Sequence, residues 1–282
     1  MRVCVASLYY SILTLLTQNT VILPVEILDH IFSFLNNDPA TLRSILKVFS
    51  GKFSPFLLGA LDRHVYAHVV VTNFKSNRPG LFHYSKFIKY ISHKPQVANY
   101  IHTCRIEIEL PGPSHWYKPM TSILRKLPPT LKEITLSSRT RPEATDEFEG
   151  LRLHWLDLHE MFRNAFLDCL RSSYLAEVSL QRIAGLPLSI FNDGKIQRLS
   201  FRQVQCTPAS VAQFPPQTIS LMIHQCDLLS VILSWANGAS TLRSFSLGAV
   251  HGFDFHSISS LSCTNLIDLE LNFANMCKFC FA

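Results

Sequence analysis

The chain has 282 residues, of which 48% are hydrophobic and 16% are charged. This balance lacks the charge excess and the proline and glycine load of a disordered protein, so we expect a folded chain with an apolar core. The formal net charge of +6 comes mostly from residues 1 to 110, which hold eleven Lys and Arg against six acids. Beyond the first sixteen residues no apolar run approaches a membrane-spanning length, which excludes a multi-span membrane protein.

Residues 1 to 20 form a leader with several interpretations. Arg2 precedes an apolar run from Val3 to Leu16, roughly the shape of a secretory signal, but no small-x-small cleavage site follows. A signal peptide, a wrongly chosen start codon and an amphipathic leader that packs on the next domain all stay open.

The eight cysteines are scattered through apolar segments of a long chain. We therefore expect reduced, buried thiols and a cytoplasmic or nuclear protein without stable membrane insertion.

Residues 21 to 66 predict a module of three short helices. Pro24 suits the first turn of a helix, and Glu26 follows it where the helix dipole favours a negative charge. Asp38 and Ser54, each followed by proline, are start signals for the second and third helices. Three short helices cannot bury every apolar face that they carry. The remainder predicts a binding surface or a domain interface.

The first helix of this module carries a specific motif. It reads Leu23-Pro24-Val25-Glu26-Ile27-Leu28, then Ile31-Phe32 and Leu35, and it is followed by Leu42, Leu46, Val48 and Phe53. This pattern resembles the F-box, most of all the versions abundant in fungi, over residues 22 to 66. Two features depart from the family: Phe53 lies five residues after Val48 instead of four, and Phe49-Ser50-Gly51 replaces a small-basic pair.

The resemblance implies that the module docks on the Skp-type adaptor of a cullin–RING ubiquitin ligase. Matching the motif position by position assigns adaptor contacts to Leu23, Pro24, Ile27, Leu28, Ile31 and Leu42. Three other apolar residues, Phe32, Leu35 and Leu46, are assigned to the core of the module. The implied role of the whole chain is that of a non-catalytic substrate receptor.

Residues 67 to 110 are interpreted as a basic connector with a first strand. The run from Val65 to Val71 predicts a β-strand, and Tyr84 to Ile91 has the apolar spacing of a helix with Lys86 and Lys89 on its solvent side. Seven Lys and Arg lie between Asp62 and Glu107 without an acid. A nucleic-acid-binding face is the less favoured interpretation, because the aromatic residues are not interleaved with the lysines.

Residues 111 to 282 contain a recurring pattern, apolar-x-x-apolar-x-apolar. Its six copies begin at Leu131, Leu175, Ile196, Thr218, Leu242 and Leu266. The last five copies start 21, 22, 24 and 24 residues apart, the spacing of leucine-rich repeats, and they resemble the degenerate repeats often found behind fungal F-boxes. The expected fold is therefore α+β: a three-helix F-box-like module followed by an irregular α/β leucine-rich-repeat-like solenoid.

Two sets of residues follow from this repeat. Three residues after each of the last five copies, where the family places Asn or Cys, apolar fillers are expected at most positions; the five are Ile183, Val204, Cys226, Val250 and Ala274. Within each strand, alternate residues are expected to form an exposed polar face. Its predicted partner-binding residues are Arg198, Arg202, Met222, His224, Asp268 and Glu270. A polar, mixed-charge sheet favours protein recognition over small-molecule catalysis.

No motif for catalysis or cofactor binding is present in the chain, which lacks GxGxxG, GxxxxGK[ST], GxSxG and HExxH. The best metal candidates, His154 with His159 and Glu160, and Cys277 with Cys280, have weak spacing, so neither a metal nor a cofactor is expected. The sequence thus predicts a non-enzymatic receptor for an unknown protein substrate. The alternatives are an interaction protein with a degenerate F-box acting outside the ligase and, less favoured, a basic nucleic-acid-binding protein.

Overall fold

The computed structural model describes residue 30 and residues 62–75, 81–110, 115–140, 152–207, 213–227, 229–237, 239–248 and 265–272. The chain divides into two compact units, Met1–Val65 and Tyr66–Ala282. The leader, the six expected adaptor contacts and the residues Val250, Ala274, Cys277 and Cys280 lie outside the described ranges.

The second unit is built on a nine-stranded sheet in which every strand pair is parallel. The strands are β1 (His68–Thr72), β2 (Leu81–His83), β3 (Thr103–Leu110), β4 (Glu133–Thr140), β5 (Glu177–Gln181), β6 (Arg198–Arg202), β7 (Ser220–His224), β8 (Ser244–Gly248) and β9 (Asp268–Asn272). Their order is β9-β8-β7-β6-β5-β4-β3-β1-β2. From β3 to β9 each strand is therefore added beside the previous one. Strands from residues 67 to 110 and from the later repeats share this one sheet.

A repeated hydrogen-bond pattern positions the starts of the seven strands β3 to β9. The carbonyl of Ala67 accepts from the N–H groups of His102 (2.8 Å) and Thr103 (3.0 Å). The same double acceptance recurs at six more carbonyls, those of His102, Lys132, Ala176, Gln197, Ile219 and Arg243. Each of these seven strands thereby begins level with its neighbour, and equivalent side chains line up from β1 to β9.

The chain turns sharply after β5, β6 and β7. Arg182, Gln203 and Gln225 have φ values of 56°, 55° and 52°, which residues other than glycine rarely adopt. The N–H group of each donates to the last carbonyl of the following strand, at 2.8, 2.8 and 3.0 Å. Beyond these corners, short parallel ladders join 153–154 to 183–184 and 186–187 to 206–207.

Among the described residues of the second unit, the sheet is accompanied by the helices α1 (Tyr84–His93), α2 (Tyr117–Lys126), α3 (Glu160–Leu170) and α4 (Leu229–Ala236). α1 packs against α2, and α2 packs against α3. The helix expected around Tyr84 is confirmed, with Phe87 and Ile91 buried and both lysines exposed. A 3-10 turn, Trp155–Asp157, precedes α3. Within the described ranges, no helix combines the length and apolar character that crossing a bilayer requires.

The inward-facing residues of β5 to β8 form a continuous apolar layer. All eight are at most 3% exposed: Val178, Leu180, Leu199, Phe201, Leu221, Ile223, Phe245 and Leu247. The fillers Ile183, Val204 and Cys226 are also buried, as expected, and the Cys226 thiol donates to the carbonyl of Phe201 at 3.5 Å. The described residues form both helices and strands, which confirms the expected mixture of the two. Leu269 is the exception, because β9 is an edge strand and leaves it 48% exposed.

The described cysteines behave as the sequence predicts. Cys104, Cys206 and Cys226 are buried, Cys169 is half-buried, and all four are free thiols. Burial is the main cause that raises the pKa of each thiol above its usual range. These thiols therefore remain protonated near neutral pH and serve as small apolar core residues.

Truncating Phe245 to alanine should lower the free energy of unfolding by about 3 to 5 kcal/mol, because the ring is fully buried and leaves a cavity. Ser246→Ala, one residue away on the polar face, should cost less than about 1 kcal/mol. Leu269→Ala should cost less than Phe245→Ala, since half of its side chain is already in solvent. Urea unfolding of the three variants ranks their free energies of unfolding. A larger loss of stability for Ser246→Ala than for Phe245→Ala would mean that the two faces of the sheet are misassigned.

Candidate partner-binding groove

The polar face of the sheet holds a groove of about 400 Å³. Every residue that lines it belongs to a strand, and the lining comes from β1, β3, β4, β5, β6 and β7. The groove therefore crosses six neighbouring strands near their starts. Because parallel strands lie about 4.8 Å apart, it extends over more than 20 Å of sheet.

In-register pairing arranges twelve of the sixteen lining residues in two rows across the strands. The first row is His68, Thr103, Glu133, Glu177, Arg198 and Ser220. The second row is Val70, Arg105, Thr135, Ser179, Ser200 and Met222. The middle of the second row contains only Thr and Ser, whereas the larger Arg105 and Met222 stand on either side. The small hydroxyl side chains leave the space that the groove occupies.

The first row contains two hydrogen-bonded pairs of side chains, and the carboxylate of Glu133 lies between them. His68 Nδ1 and Thr103 Oγ1 are hydrogen-bonded at 2.8 Å, and Arg198 Nε donates to Glu177 Oε2 at 2.6 Å. Glu133 lies between these pairs, directly across from Thr103 on one side and Glu177 on the other. Among the described residues, its carboxylate makes no hydrogen bond or ion pair. The row therefore has one unpaired charge in its middle.

The surroundings of Glu133 disfavour its charged form. Burial raises the pKa of Glu133, the neighbouring Glu177 carboxylate raises it further, and Arg198 opposes the shift. Burial also lowers the pKa of His68, with His102 adding to the effect. His68 is therefore neutral near pH 7 and brings no positive charge to this end of the row.

The structure places the six sequence-predicted partner-binding residues on one face but does not gather them in one site. Arg198 and Met222 line the groove. Arg202 and His224 lie on the same face, in the row of the lining residue Gln181, but are not themselves among the residues that line the groove. The two acids of the set lie on the edge strand β9, three strands from Arg198, where Glu270 accepts a hydrogen bond from Ser246 at 2.9 Å.

Sequence reasoning missed the half of the groove that comes from β1, β3 and β4. Its residues there include His68, Thr103, Arg105, Glu133 and Thr135. A signal existed for two of them, because the repeat copy that begins at Leu131 places Glu133 and Thr135 at its alternate, outward positions. The face had been derived from the last five copies alone.

Comparison with known proteins gave no match. No family model, no curated protein and no solved structure matched the chain. The functional interpretation therefore rests on the residues and on the geometry of this face.

The histidines considered for a metal have structural roles. His159 stacks on Tyr117, with ring centroids 3.9 Å apart, and accepts from the N–H of Met161 at the start of α3. The His154 ring covers Gly185, where an added Cβ would lie 2.7 Å from it. Within the described ranges, no group of three or more His, Cys, Asp and Glu side chains has the arrangement of a metal site.

His224 and Gly248 are a matched pair beside the groove. They lie opposite each other on β7 and β8, and a Cβ on Gly248 would lie 2.7 Å from Cδ2 of His224. The Nδ1 atom of His224 is buried without a hydrogen-bond partner in the described structure. Glycine at position 248 thus provides the space in which the imidazole lies.

Replacing Gly248 by alanine should lower the free energy of unfolding by about 1 kcal/mol or more, because the new methyl group displaces the imidazole. In a His224→Ala background the same replacement should be neutral or stabilising, since the methyl group then has space and alanine restricts the unfolded chain. A double-mutant cycle by urea unfolding measures the coupling. Equal costs in the two backgrounds would show that the ring does not limit the site.

Glu133→Gln should make the protein more stable than wild type at pH 7, with the advantage shrinking toward pH 4. A carboxyl whose pKa is raised by folding loses stability as pH rises from its unfolded value, about 4.3, through its folded value. Unfolding free energies at pH 4, 5.5 and 7 measure this trend. Glu160→Gln, an exposed acid on α3, is the control; a Glu133→Gln effect independent of pH would exclude this electrostatic origin.

Proposed function

We propose that this chain is a non-catalytic substrate receptor, in which an F-box-like module holds a Skp-type adaptor of a cullin–RING ubiquitin ligase and the grooved sheet face captures the protein to be ubiquitinated. The observation that carries the proposal is the wide polar groove across six parallel strands. It stands together with the F-box resemblance of residues 22 to 66 in the same chain. The corresponding location is cytoplasmic or nuclear.

The strand-forming segments are interpreted as coils of a leucine-rich-repeat-like solenoid. The support is the recurrent double hydrogen bond at each strand start, the sequential order of β3 to β9, and the corners after β5, β6 and β7. Contacts between such coils are local, so one continuous face can be extended strand by strand. A long face of this kind suits a protein ligand better than a small molecule, which binds in enclosed cavities.

The second candidate is an interaction protein whose partner lies outside the ligase. The departures at Phe53 and at Phe49-Ser50-Gly51 favour it, because they fall in the later part of the F-box-like segment. Nucleic-acid binding is less favoured. Three arginines of the polar face are ion-paired to glutamates at 2.6 to 2.9 Å, namely Arg105, Arg139 and Arg198, so their charge is not free for phosphates.

Adaptor binding tests the first candidate against the second. Replacing both Ile27 and Ile31 by Asp should abolish copurification with a Skp-type adaptor, because unpaired charges in an apolar interface cost several kcal/mol. Affinity purification of the tagged full chain with coexpressed adaptor measures how much adaptor copurifies. The control, Asp29→Asn and His30→Gln on the polar side of the expected helix, should retain the adaptor. A wild-type chain that never binds the adaptor would favour the second candidate.

A further inference from the structure

Two observations in the groove concern groups that lack a partner. The Glu133 carboxylate is held beside Glu177 while Arg198 is directed to Glu177, so the pair of acids has one cation for two charges. The second observation is Thr135, the next residue of the same strand that faces the groove. Thr135 is 6% exposed and lines the groove, and its hydroxyl makes no hydrogen bond to any described residue.

Both groups would gain from a ligand of the right chemistry. A lysine or arginine side chain against Glu133 would replace the repulsion between the two acids by a charge-assisted hydrogen bond. A peptide N–H or C=O group over Thr135 would give a largely buried hydroxyl the hydrogen-bond partner that no described residue supplies. Phosphate groups, in contrast, would be repelled by the same carboxylates.

The far end of the groove has different chemistry. Met222 is 49% exposed and presents an apolar, adaptable side chain at the edge of the lining. It lies three strands and one row from Glu133, which places the two positions about 15 Å apart for strands spaced about 4.8 Å. An extended peptide covers that distance in four or five residues.

We infer that the groove binds an extended segment of the partner protein that carries a lysine or arginine and, four or five residues away, an aliphatic side chain. The basic side chain binds Glu133 and Glu177, the intervening backbone bonds to Thr135, and the aliphatic side chain packs on Met222. The segment crosses the strands, since the backbone groups of the inner strands are used by their neighbours. This inference rests on the proposed function for the role of the face, and it adds the chemistry of the partner.

A peptide selection tests the inference. A displayed library of random twelve-residue peptides is selected on the immobilised full chain, and one enriched peptide is synthesised with a fluorescent label. Enriched peptides should carry a basic residue four or five positions from an aliphatic one. By fluorescence anisotropy, Glu133→Gln should weaken binding about tenfold or more, because the variant loses a hydrogen bond between oppositely charged groups. Met222→Ser should weaken it as well, and the control Glu160→Gln should not.

The outcomes separate binding from structure. Glu133→Gln should lower the affinity while raising stability at pH 7, a combination that a merely structural residue would not give. The inference is overturned if no peptide is enriched, if the enriched peptides lack the basic residue, or if Glu133→Gln binds as tightly as wild type. Adaptor copurification is measured on the same preparations, so failure of the ligase proposal and failure of the peptide inference are recorded independently.

Discussion

The rest of the second unit depends on one interaction, in which a carbonyl just before a strand accepts two N–H groups from the start of the strand beside it. It removes any stagger between neighbouring strands, from Ala67 to Arg243. Because side chains alternate between the two faces of a strand, a one-residue slip would exchange the faces completely. Repeating the same start seven times therefore makes one face apolar and the other polar across the sheet, and it forms the rows that line the groove.

The order of residues in the first row explains why the Glu133 carboxylate has no ion-pair partner among the described residues. Side chains in a row stand roughly one strand spacing apart, so ion pairs form most readily between direct neighbours. Arg198 follows Glu177 directly and pairs with it, so the next acid along, Glu133, is out of its reach as a close partner. The unpaired carboxylate is thus a consequence of the order of residues along the row. Its free-energy cost in the isolated chain is also what a cationic partner would remove.

The sequence predicted the later strands better than the earlier ones, for a physical reason. From Leu175 onward the copies start 21 to 24 residues apart, and the alternation within them placed residues such as Leu199 and Phe245 correctly inside. Between β1, β3, β4 and β5 the starts are 35, 30 and 44 residues apart, so the earlier strands do not share the regular spacing, although the copy at Leu131 marks β4. Leu269 was assigned to the right face, but burial also requires a covering neighbour, which a one-dimensional pattern does not report.

The sequence likewise predicted only part of the lining of the groove. Arg198 and Met222 were found because they belong to regular repeats, whereas His68 and Thr103 reach the groove only through the pairing of β1 with β3. The space between them also depends on small side chains standing next to each other on different strands. Such adjacency is a property of register and has no signal along the chain.

The corners at Arg182, Gln203 and Gln225 have an evolutionary consequence. Each holds a left-handed backbone conformation that costs an ordinary residue about 1 to 2 kcal/mol and that glycine adopts freely. The repeated backbone bonds enforce this conformation whatever the side chain, so these corners accept long polar residues in place of glycine. Since none of the three lines the groove, substitutions there can compensate destabilising changes elsewhere. A glycine at one of these corners would thus stabilise the sheet without changing any residue that lines the groove.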